Sequence, residues 1–138
     1  MSGAVRCTFI AIRWRDTCSL VLLGNPDGAR GGFLPKHARN LIRGPMLSLS
    51  LPDSKIVVYS GDGDLTSIGG NHLLHAARRN MDLLVVCVNN MIYAMTGGQA
   101  AATTPGAATS TTTPYGSFEP ELNIPQLVDA AGACYVAR

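Results

Sequence analysis

The amino-acid sequence predicts an α/β protein with a partial doubly wound parallel sheet, and three observations support this fold class. Residues 55–60 and 83–88 are short runs of apolar, largely β-branched residues, which is the pattern of buried strands. A helical pattern lies between them, so strand, helix and strand follow one another within about 35 residues, as in a βαβ unit with a right-handed crossover. Both strands are apolar throughout, which indicates a sheet covered on both faces.

The helix of this unit is predicted from its capping residue, its apolar face and its basic end. The hydroxyl of Thr66 or Ser67 can accept a hydrogen bond from the unpaired backbone N–H groups of a first helical turn. Arg78 and Arg79 would place positive charge at the negative end of the helix dipole. The expected apolar face consists of Ile68, Leu73, Leu74 and Ala77.

The remaining elements are predicted from shorter patterns. Residues 125–131 indicate a short helix that begins with proline and ends before Gly132, and residues 133–137 indicate the next strand. Residues 100–113 contain only Ala, Thr, Gly, Pro and Ser, so we expect a long loop there. This composition fits a flexible linker and a mobile cover over a site equally well. In the first part of the chain, only Ser19–Leu23 has the pattern of a strand.

The composition limits the class of protein. The chain has 138 residues, enough for one domain with its own core, and its content of 46% hydrophobic and 14% charged residues argues against a disordered chain. No apolar run is long enough to span a membrane, and the start lacks the layout of a signal peptide, so we expect a cytoplasmic protein. The net charge of +2 gives no argument for nucleic-acid binding.

The charge is distributed unevenly along the chain. Residues 1–50 carry seven basic and two acidic groups, whereas residues 51–138 carry four basic and seven acidic groups. A nucleic-acid surface is one interpretation of the basic excess, but no aromatic or motif pattern accompanies it. We therefore divide the chain into an atypical N-terminal segment, residues 1–51, and a domain formed by residues 52–138.

Glycines and acidic residues follow the first predicted strand, and asparagine follows the second. Gly61, Asp62, Gly63 and Asp64 follow the first strand, and Asn90 follows the second, 28 residues after Asp62. In open α/β sheets ligands bind beyond the carboxyl ends of the strands, and glycines let the backbone approach a phosphate closely. Carboxylate and amide oxygens suit Mg²⁺, which completes its coordination with diphosphate oxygens and water. The sequence therefore predicts a Mg²⁺–diphosphate site.

The GDG and NN spacing resembles the thiamine diphosphate signature, and a longer match is more specific. The stretch from Gly61 to Pro105, continued by residues 114–120 and 130–133, resembles the β subunit of 2-oxoacid:ferredoxin oxidoreductases. The resemblance implies the diphosphate-binding domain of thiamine diphosphate enzymes. It also implies oxidative decarboxylation of a 2-oxoacid to an acyl-CoA, with electrons passing through iron–sulfur clusters to ferredoxin. An α subunit, or α and γ subunits, would supply the pyrimidine-binding domain.

When the family's functional residues are carried over by position, the resemblance implies a cofactor site but no catalytic residue on this chain. Asp62, the side chain of Asn90 and the backbone carbonyl of Ile92 would bind Mg²⁺. Some relatives carry a lysine at the position of Gly97, and its absence here slightly disfavours a dicarboxylic substrate. The other implied cofactor-binding residues cradle the diphosphate or lie on the loop that closes round the cofactor, and they are Gly61, Gly63, Asp64, Thr96 and Gly98.

The N-terminal segment departs from the family pattern. Family members have a CxxCG element that binds a 4Fe–4S cluster, and this chain has no CxxC pair. Cys18, which precedes Asp62 by 44 residues, is a candidate vestigial cluster ligand. We therefore hypothesise that residues 1–51 result from a wrong reading frame or a gene break, with true divergence of the segment as the alternative. We further expect that the chain is truncated at its C-terminus and inactive in isolation.

Two other functions and one other site stay open. The chain could be a non-catalytic cofactor- or partner-binding chain, or another thiamine diphosphate-dependent decarboxylase or synthase, although residues 95–105 resemble the ferredoxin-linked family specifically. His72 and His75 could share a helix face and bind a metal, but no third ligand is evident, so packing or capping is favoured. Cys87 is expected to be a small buried hydrophobic residue.

Overall fold

The computed structural model describes residues 6–11, 19–23, 45–46, 49–50 and 54–138. The strands are β1 (Arg6–Ala11), β2 (Ser19–Leu23), β3 (Ser54–Gly61), β4 (Leu83–Asn89), β5 (Ile92–Tyr93), β6 (Gln99–Ala100) and β7 (Tyr135–Ala137). The helices are α1 (Gly63–Ile68), which has π-helical hydrogen bonding, α2 (Gly70–Arg78) and α3 (Ile124–Ala130). In these ranges, none of the helices has the length and apolar character of a membrane span.

The predicted βαβ unit is confirmed. Strands β2, β3 and β4 are parallel neighbours, and α1 and α2 form the connection from β3 to β4. The register pairs Ile56 with Leu83 at one end and Gly61 with Val88 at the other. Because the two strands end side by side, the residues that follow Gly61 and Asn89 come to the same edge of the sheet.

The predicted parallel sheet is confirmed in part: β2, β3 and β4 are parallel, but the five-stranded sheet as a whole is mixed. Its order is β2-β3-β4-β1-β7, and β1 pairs antiparallel with both β4 and β7. The sequence did not predict β1, yet its backbone satisfies the hydrogen-bonding groups along β4, which an antiparallel neighbour can do as well as a parallel one. The strand predicted at residues 133–137 forms as β7, but β1 separates it from β4.

The core lies on one face of the sheet, beneath α2 and α3. Burial alternates along β3, where Ile56 and Val58 are fully buried and Tyr59, which faces the other side, is 43% exposed. The alternation continues along β4. In the described part of the chain, helices therefore cover one face, and the predicted cover on both faces is not seen. The core residues of the strands and helices are Ile56, Val58, Leu65, Leu73, Ala76, Ala77, Leu83, Val85, Cys87, Ile124 and Val128.

The predicted helix between β3 and β4 exists, but its first part differs from the expectation. Leu73 and Ala77 are buried as predicted, whereas Ile68 is 58% exposed. The hydroxyl of Thr66 does not cap the helix and donates to the backbone carbonyl of Asp62 at 2.7 Å. The wider π-helical turns of α1 change the angle at which successive side chains point, so the apolar face predicted from regular α-helical spacing fails at Ile68.

The C-terminal helix α3 is confirmed, and its bounds differ by one residue from the prediction. The side chain of Asn123 caps it by accepting a hydrogen bond from the Gln126 N–H at 3.2 Å, and Pro125 lies in its first turn. Gly132, with a φ of +94°, follows the end of the helix in the left-handed conformation that glycine adopts readily. Ile124 and Val128 anchor α3 in the core.

Candidate functional site

A cavity of about 500 Å³ opens where β3 and β4 end side by side. This is the edge at which the sequence predicts a ligand site. Seven of the eight predicted cofactor-binding residues line the cavity, and Gly98 does not. The seven are Gly61, Asp62, Gly63, Asp64, Asn90, Ile92 and Thr96.

Asp62 is the buried acid of this site. It is the residue after β3, and only 1% of its surface is exposed. Its carboxylate Oδ1 accepts a hydrogen bond from the backbone N–H of Asn90 at 3.3 Å, and Oδ2 accepts one from the hydroxyl of Thr103. A buried carboxylate needs such partners because it has lost its hydration. The structure therefore brings the two predicted ligand positions, Asp62 and Asn90, into direct contact.

Asn90 begins a tight turn at the edge of the cavity, which Asn90 and Ile92 both line. Its side-chain Oδ1 accepts a hydrogen bond from the N–H of Ile92 at 3.3 Å, and the side chain is exposed. Met91 lies between these two residues, and its φ of +62° shows that its backbone adopts the left-handed conformation. An amide oxygen has two lone pairs, so this bond leaves Asn90 Oδ1 with a lone pair for a metal ion or a further hydrogen bond.

Gly61 and Gly63 are glycines for different physical reasons. A Cβ atom at Gly61 would have no protein atom within 4 Å, so Gly61 leaves open space at the cavity wall. A Cβ atom at Gly63 would lie 2.5 Å from Cε1 of Tyr93, because the tyrosine ring packs directly on the backbone there. The Tyr93 hydroxyl also donates to the Gly63 carbonyl at 3.1 Å. The role of Tyr93 is not predicted by the sequence, since an aromatic residue beside Ile92 gives no separate indication of it.

Asp64 contributes differently from Asp62. It is half-buried, and its carboxylate accepts a hydrogen bond from the Ser60 hydroxyl at 3.4 Å. Its backbone carbonyl accepts the N–H of Gly69 at 2.8 Å, which closes α1. The side chain is thus engaged within the protein.

Thr96 and Gly98 lie on the connection between β5 and β6. The Thr96 hydroxyl donates to Gln99 Oε1 at 2.6 Å, and Gln99 Nε2 donates back to the Thr96 carbonyl at 2.8 Å. The Gly98 N–H donates to the Tyr93 carbonyl at 2.8 Å, and its φ of +83° is one that side-chain-bearing residues rarely adopt. Gly98 therefore closes the hairpin behind the cavity wall, whereas Thr96 lines the cavity itself.

The predicted loop at residues 100–113 packs on the site. Ala101, Thr103 and Thr104 are buried, and Thr103 contacts Asp62 as described above. The Thr104 hydroxyl donates to the Met91 carbonyl at 2.6 Å, which fastens the loop to the turn after β4. These contacts argue against a flexible linker, but none of residues 100–113 lines the cavity, so the loop supports Asp62 from the protein side and does not cover the site. The roles of Thr103 and Thr104 are not predicted by the sequence, because threonines in a segment rich in threonine and alanine carry no distinguishing pattern.

Other residues singled out in the sequence lie away from this cavity or outside the described ranges. His72 and His75 lie on α2 beside a separate cavity of about 410 Å³. Within the described ranges, no three His, Cys, Asp or Glu residues form a group able to hold a metal. Cys87 is fully buried in the core, as expected. Cys18 lies outside the described residues.

The sequence matches a known family over most of its length. The family model described as the thiamine pyrophosphate enzyme, C-terminal TPP binding domain, matches residues 44–138. The chain is 50% identical over 102 residues to the 2-oxoglutarate synthase subunit KorB of Methanocaldococcus jannaschii, covering 74% of this chain and 38% of that protein. It is 39% identical over 107 residues to the 2-oxoglutarate oxidoreductase subunit KorB of Mycobacterium tuberculosis, covering 78% of this chain and 29% of that protein.

A solved structure is similar as well. It is the 2-oxoglutarate:ferredoxin oxidoreductase from Magnetococcus marinus with 2-oxoglutarate, coenzyme A and succinyl-CoA bound. The TM-score is 0.70 at 38% sequence identity, with 72% of this chain and 34% of that chain covered. The chain thus spans 38% or less of the length of the relatives named here. The resemblance to β subunits of 2-oxoacid:ferredoxin oxidoreductases is confirmed, and the chain belongs to the thiamine pyrophosphate enzyme family through its C-terminal TPP-binding domain.

Proposed function

We propose that this domain binds thiamine diphosphate through a Mg²⁺ ion held by Asp62, the side chain of Asn90 and the backbone carbonyl of Ile92. The observation that carries the proposal is the hydrogen bond between the buried Asp62 carboxylate and the Asn90 backbone, at the edge of a cavity of about 500 Å³. The three groups supply only oxygen atoms, which Mg²⁺ prefers, and their small number leaves coordination positions for diphosphate oxygens and water.

The backbone around the proposed ion suits a diphosphate. Gly61 leaves open space at the cavity wall, where a phosphate can approach the main chain. Tyr93 holds Gly63 in place through ring packing and the hydrogen bond to its carbonyl. Gly63 and Asp64 follow directly and would contribute main-chain groups, while Thr96 and Gly98 would form the loop beside the cofactor.

We infer that the chain acts as part of a β subunit in a 2-oxoacid:ferredoxin oxidoreductase, together with an α subunit or α and γ subunits. Bound thiamine diphosphate would supply a C2 carbanion and an electron sink. Ferredoxin would accept electrons through a 4Fe–4S cluster, and coenzyme A would take the acyl group. Cys18, the candidate cluster ligand, lies outside the described residues. A cytoplasmic location and the division between residues 51 and 52 stay predictions.

The substrate proposed is 2-oxoglutarate. The relatives named above are 2-oxoglutarate enzymes, at identities between 38% and 50%. Their names outweigh the expectation drawn from Gly97, which slightly disfavoured a dicarboxylic acid. The same names argue against a decarboxylase or synthase outside the ferredoxin-linked family.

A non-catalytic cofactor-binding chain is the second candidate, and one observation favours it. Strand β1, from the segment without family resemblance, lies between β4 and β7 in the sheet. The family match begins at residue 44, so β1 fills a place in the sheet that the matched domain does not supply. Such a chain would keep the site around Asp62 and still support no turnover.

Replacing Asp62 by alanine should abolish metal-dependent cofactor binding. We expect the chain to bind thiamine diphosphate only with Mg²⁺ present, and we expect Asp62→Ala to weaken binding by more than about 100-fold, since loss of a ligand should exceed the usual outer-shell effect. Titration calorimetry measures the Mg²⁺ dependence and the affinity of each variant. Glu119→Ala, which removes an exposed acid, is the matched control, and circular dichroism shows that each variant is folded. Equal affinity of Asp62→Ala and the unaltered chain would contradict the proposal.

Replacing each glycine of the motif by alanine should affect a different property, cofactor affinity for Gly61 and stability for Gly63. Gly61→Ala places a methyl group in open space, so the unfolding free energy should change little while cofactor affinity falls. Gly63→Ala forces the Tyr93 ring to move and should lower the unfolding free energy by about 1–3 kcal/mol. Urea unfolding and calorimetry distinguish the two. Full cofactor affinity in a folded Gly61→Ala variant would show that no diphosphate approaches the backbone there.

Coexpression with the α subunit tests the proposed activity against the second candidate. An active β subunit should give a complex that reduces ferredoxin with 2-oxoglutarate and coenzyme A, and activity should be lost with Asp62→Ala. A complex that binds thiamine diphosphate but reduces no ferredoxin with 2-oxoglutarate, pyruvate or other 2-oxoacids would support the non-catalytic chain instead.

A further inference from the structure

We propose that Thr103 is a positioning residue that fixes the Asp62 carboxylate by one oxygen, so that only the other oxygen, Oδ1, is presented to the metal. The proposal rests on the proposed function, because it gives Thr103 a role toward the Mg²⁺ ion that Asp62 would bind. Thr103 itself does not touch the ion. It acts through Asp62, from a loop 41 residues further along the chain.

The contact between the two side chains is almost fully enclosed. Thr103 is 2% exposed and Asp62 is 1% exposed, and the Thr103 hydroxyl donates to Asp62 Oδ2. A hydroxyl that donates to an ionised carboxylate makes a stronger hydrogen bond than one between neutral groups. Water is excluded from the pair and does not readily replace the hydroxyl. Removal of the Thr103 hydroxyl would therefore leave Asp62 Oδ2 without its donor.

The second carboxylate oxygen is oriented toward the other proposed ligands. Asp62 Oδ1 accepts the longer bond from the Asn90 N–H, at 3.3 Å, and Asn90 and Ile92 both line the cavity. With Oδ2 occupied by Thr103, the carboxylate offers one oxygen to an ion beside Asn90. One-oxygen coordination suits Mg²⁺, which demands near-octahedral geometry, whereas Ca²⁺ readily accepts both oxygens of a carboxylate.

Thr103 is held in place by its neighbours on both sides. Before it, the Ala102 N–H donates to the Ser67 hydroxyl at 3.3 Å, and the Ala102 carbonyl accepts the Leu122 N–H at 2.8 Å. After it, Thr104 bonds the Met91 carbonyl at 2.6 Å. These bonds connect the segment to α1, to the turn after β4 and to the residues before α3. The hydroxyl of Thr103 is therefore positioned by the fold and can hold the carboxylate at a fixed angle.

The test separates a positioning role from a purely structural one. A structural role would change stability alone, whereas a positioning role changes metal affinity and the preference for Mg²⁺ over Ca²⁺. We would titrate Mg²⁺ and Ca²⁺ into the full chain with thiamine diphosphate present, using calorimetry, for the unaltered chain and Thr103→Val. Thr103→Ser keeps the hydroxyl, and Thr113→Val removes a hydroxyl of the same loop that donates to the Ala108 carbonyl at 3.3 Å.

We expect Thr103→Val to weaken Mg²⁺ binding about 10- to 100-fold, the usual range for outer-shell partners of a metal ligand. Ca²⁺ binding should weaken less, so the Mg²⁺/Ca²⁺ affinity ratio should fall. Thr103→Ser and Thr113→Val should stay within about 3-fold of the unaltered chain. If Thr103→Val fails to fold, Thr103→Cys takes its place, because a thiol is a weak donor of similar size and should give an intermediate loss.

Two results would overturn the proposal while leaving the proposed function intact. One is a folded Thr103→Val or Thr103→Cys chain with unchanged Mg²⁺ affinity and an unchanged Mg²⁺/Ca²⁺ ratio. The other is a Thr103→Ser variant as weak as Thr103→Val, since the methyl group and not the hydroxyl would then matter. Failure of the unaltered chain to bind Mg²⁺ with thiamine diphosphate would be a different result, and it would overturn the proposed function together with this one.

Discussion

The hydrogen bonds to the buried carboxylate of Asp62 are the constraint on which the rest of the site depends. A charged group with 1% exposure is tolerated only when its oxygens are paired, and here the donors come from Asn90 and Thr103. The pairing requires the parallel register in which Gly61 lies opposite Val88, because that register brings the residue after β3 beside the turn after β4. The β3–β4 register, the turn at Asn90 and the loop that carries Thr103 must therefore all form correctly. A change in any one of them would remove a hydrogen-bond donor from the buried carboxylate of Asp62.

The glycine motif illustrates how one residue type serves two purposes within three positions. Gly61 keeps space open for a ligand, while Gly63 makes room for a side chain of the protein itself, the ring of Tyr93. Tyr93 in turn belongs to β5, the strand that follows the Asn90 turn. The motif on β3 and the segment after β4 are thus joined by packing as well as by the hydrogen bonds of Asp62, which explains why the cavity wall is formed jointly by both.

Much of the site could be predicted because it depends on local patterns. Continuous apolar runs located β3 and β4 to within a residue, and parallel strands necessarily end at one edge. What failed depends on distant or non-standard geometry. The exposure of Ile68 results from the π-helical turns of α1, which regular spacing does not anticipate. Strand β1 forms by pairing with β4, some 80 residues away, and Thr103 gains its role only when the loop folds back onto Asp62.

A crystal structure of the chain with thiamine diphosphate and Mn²⁺ in place of Mg²⁺ would test the central claim most directly. Anomalous scattering locates the manganese independently of the protein atoms. The account predicts one ion about 2.1 Å from Asp62 Oδ1, with Asn90 Oδ1 and the Ile92 carbonyl as further ligands, and with Oδ2 still bonded to Thr103. An ion that contacts both oxygens of Asp62, or none, would contradict the proposed coordination, and a diphosphate bound away from Gly61 would contradict the site itself.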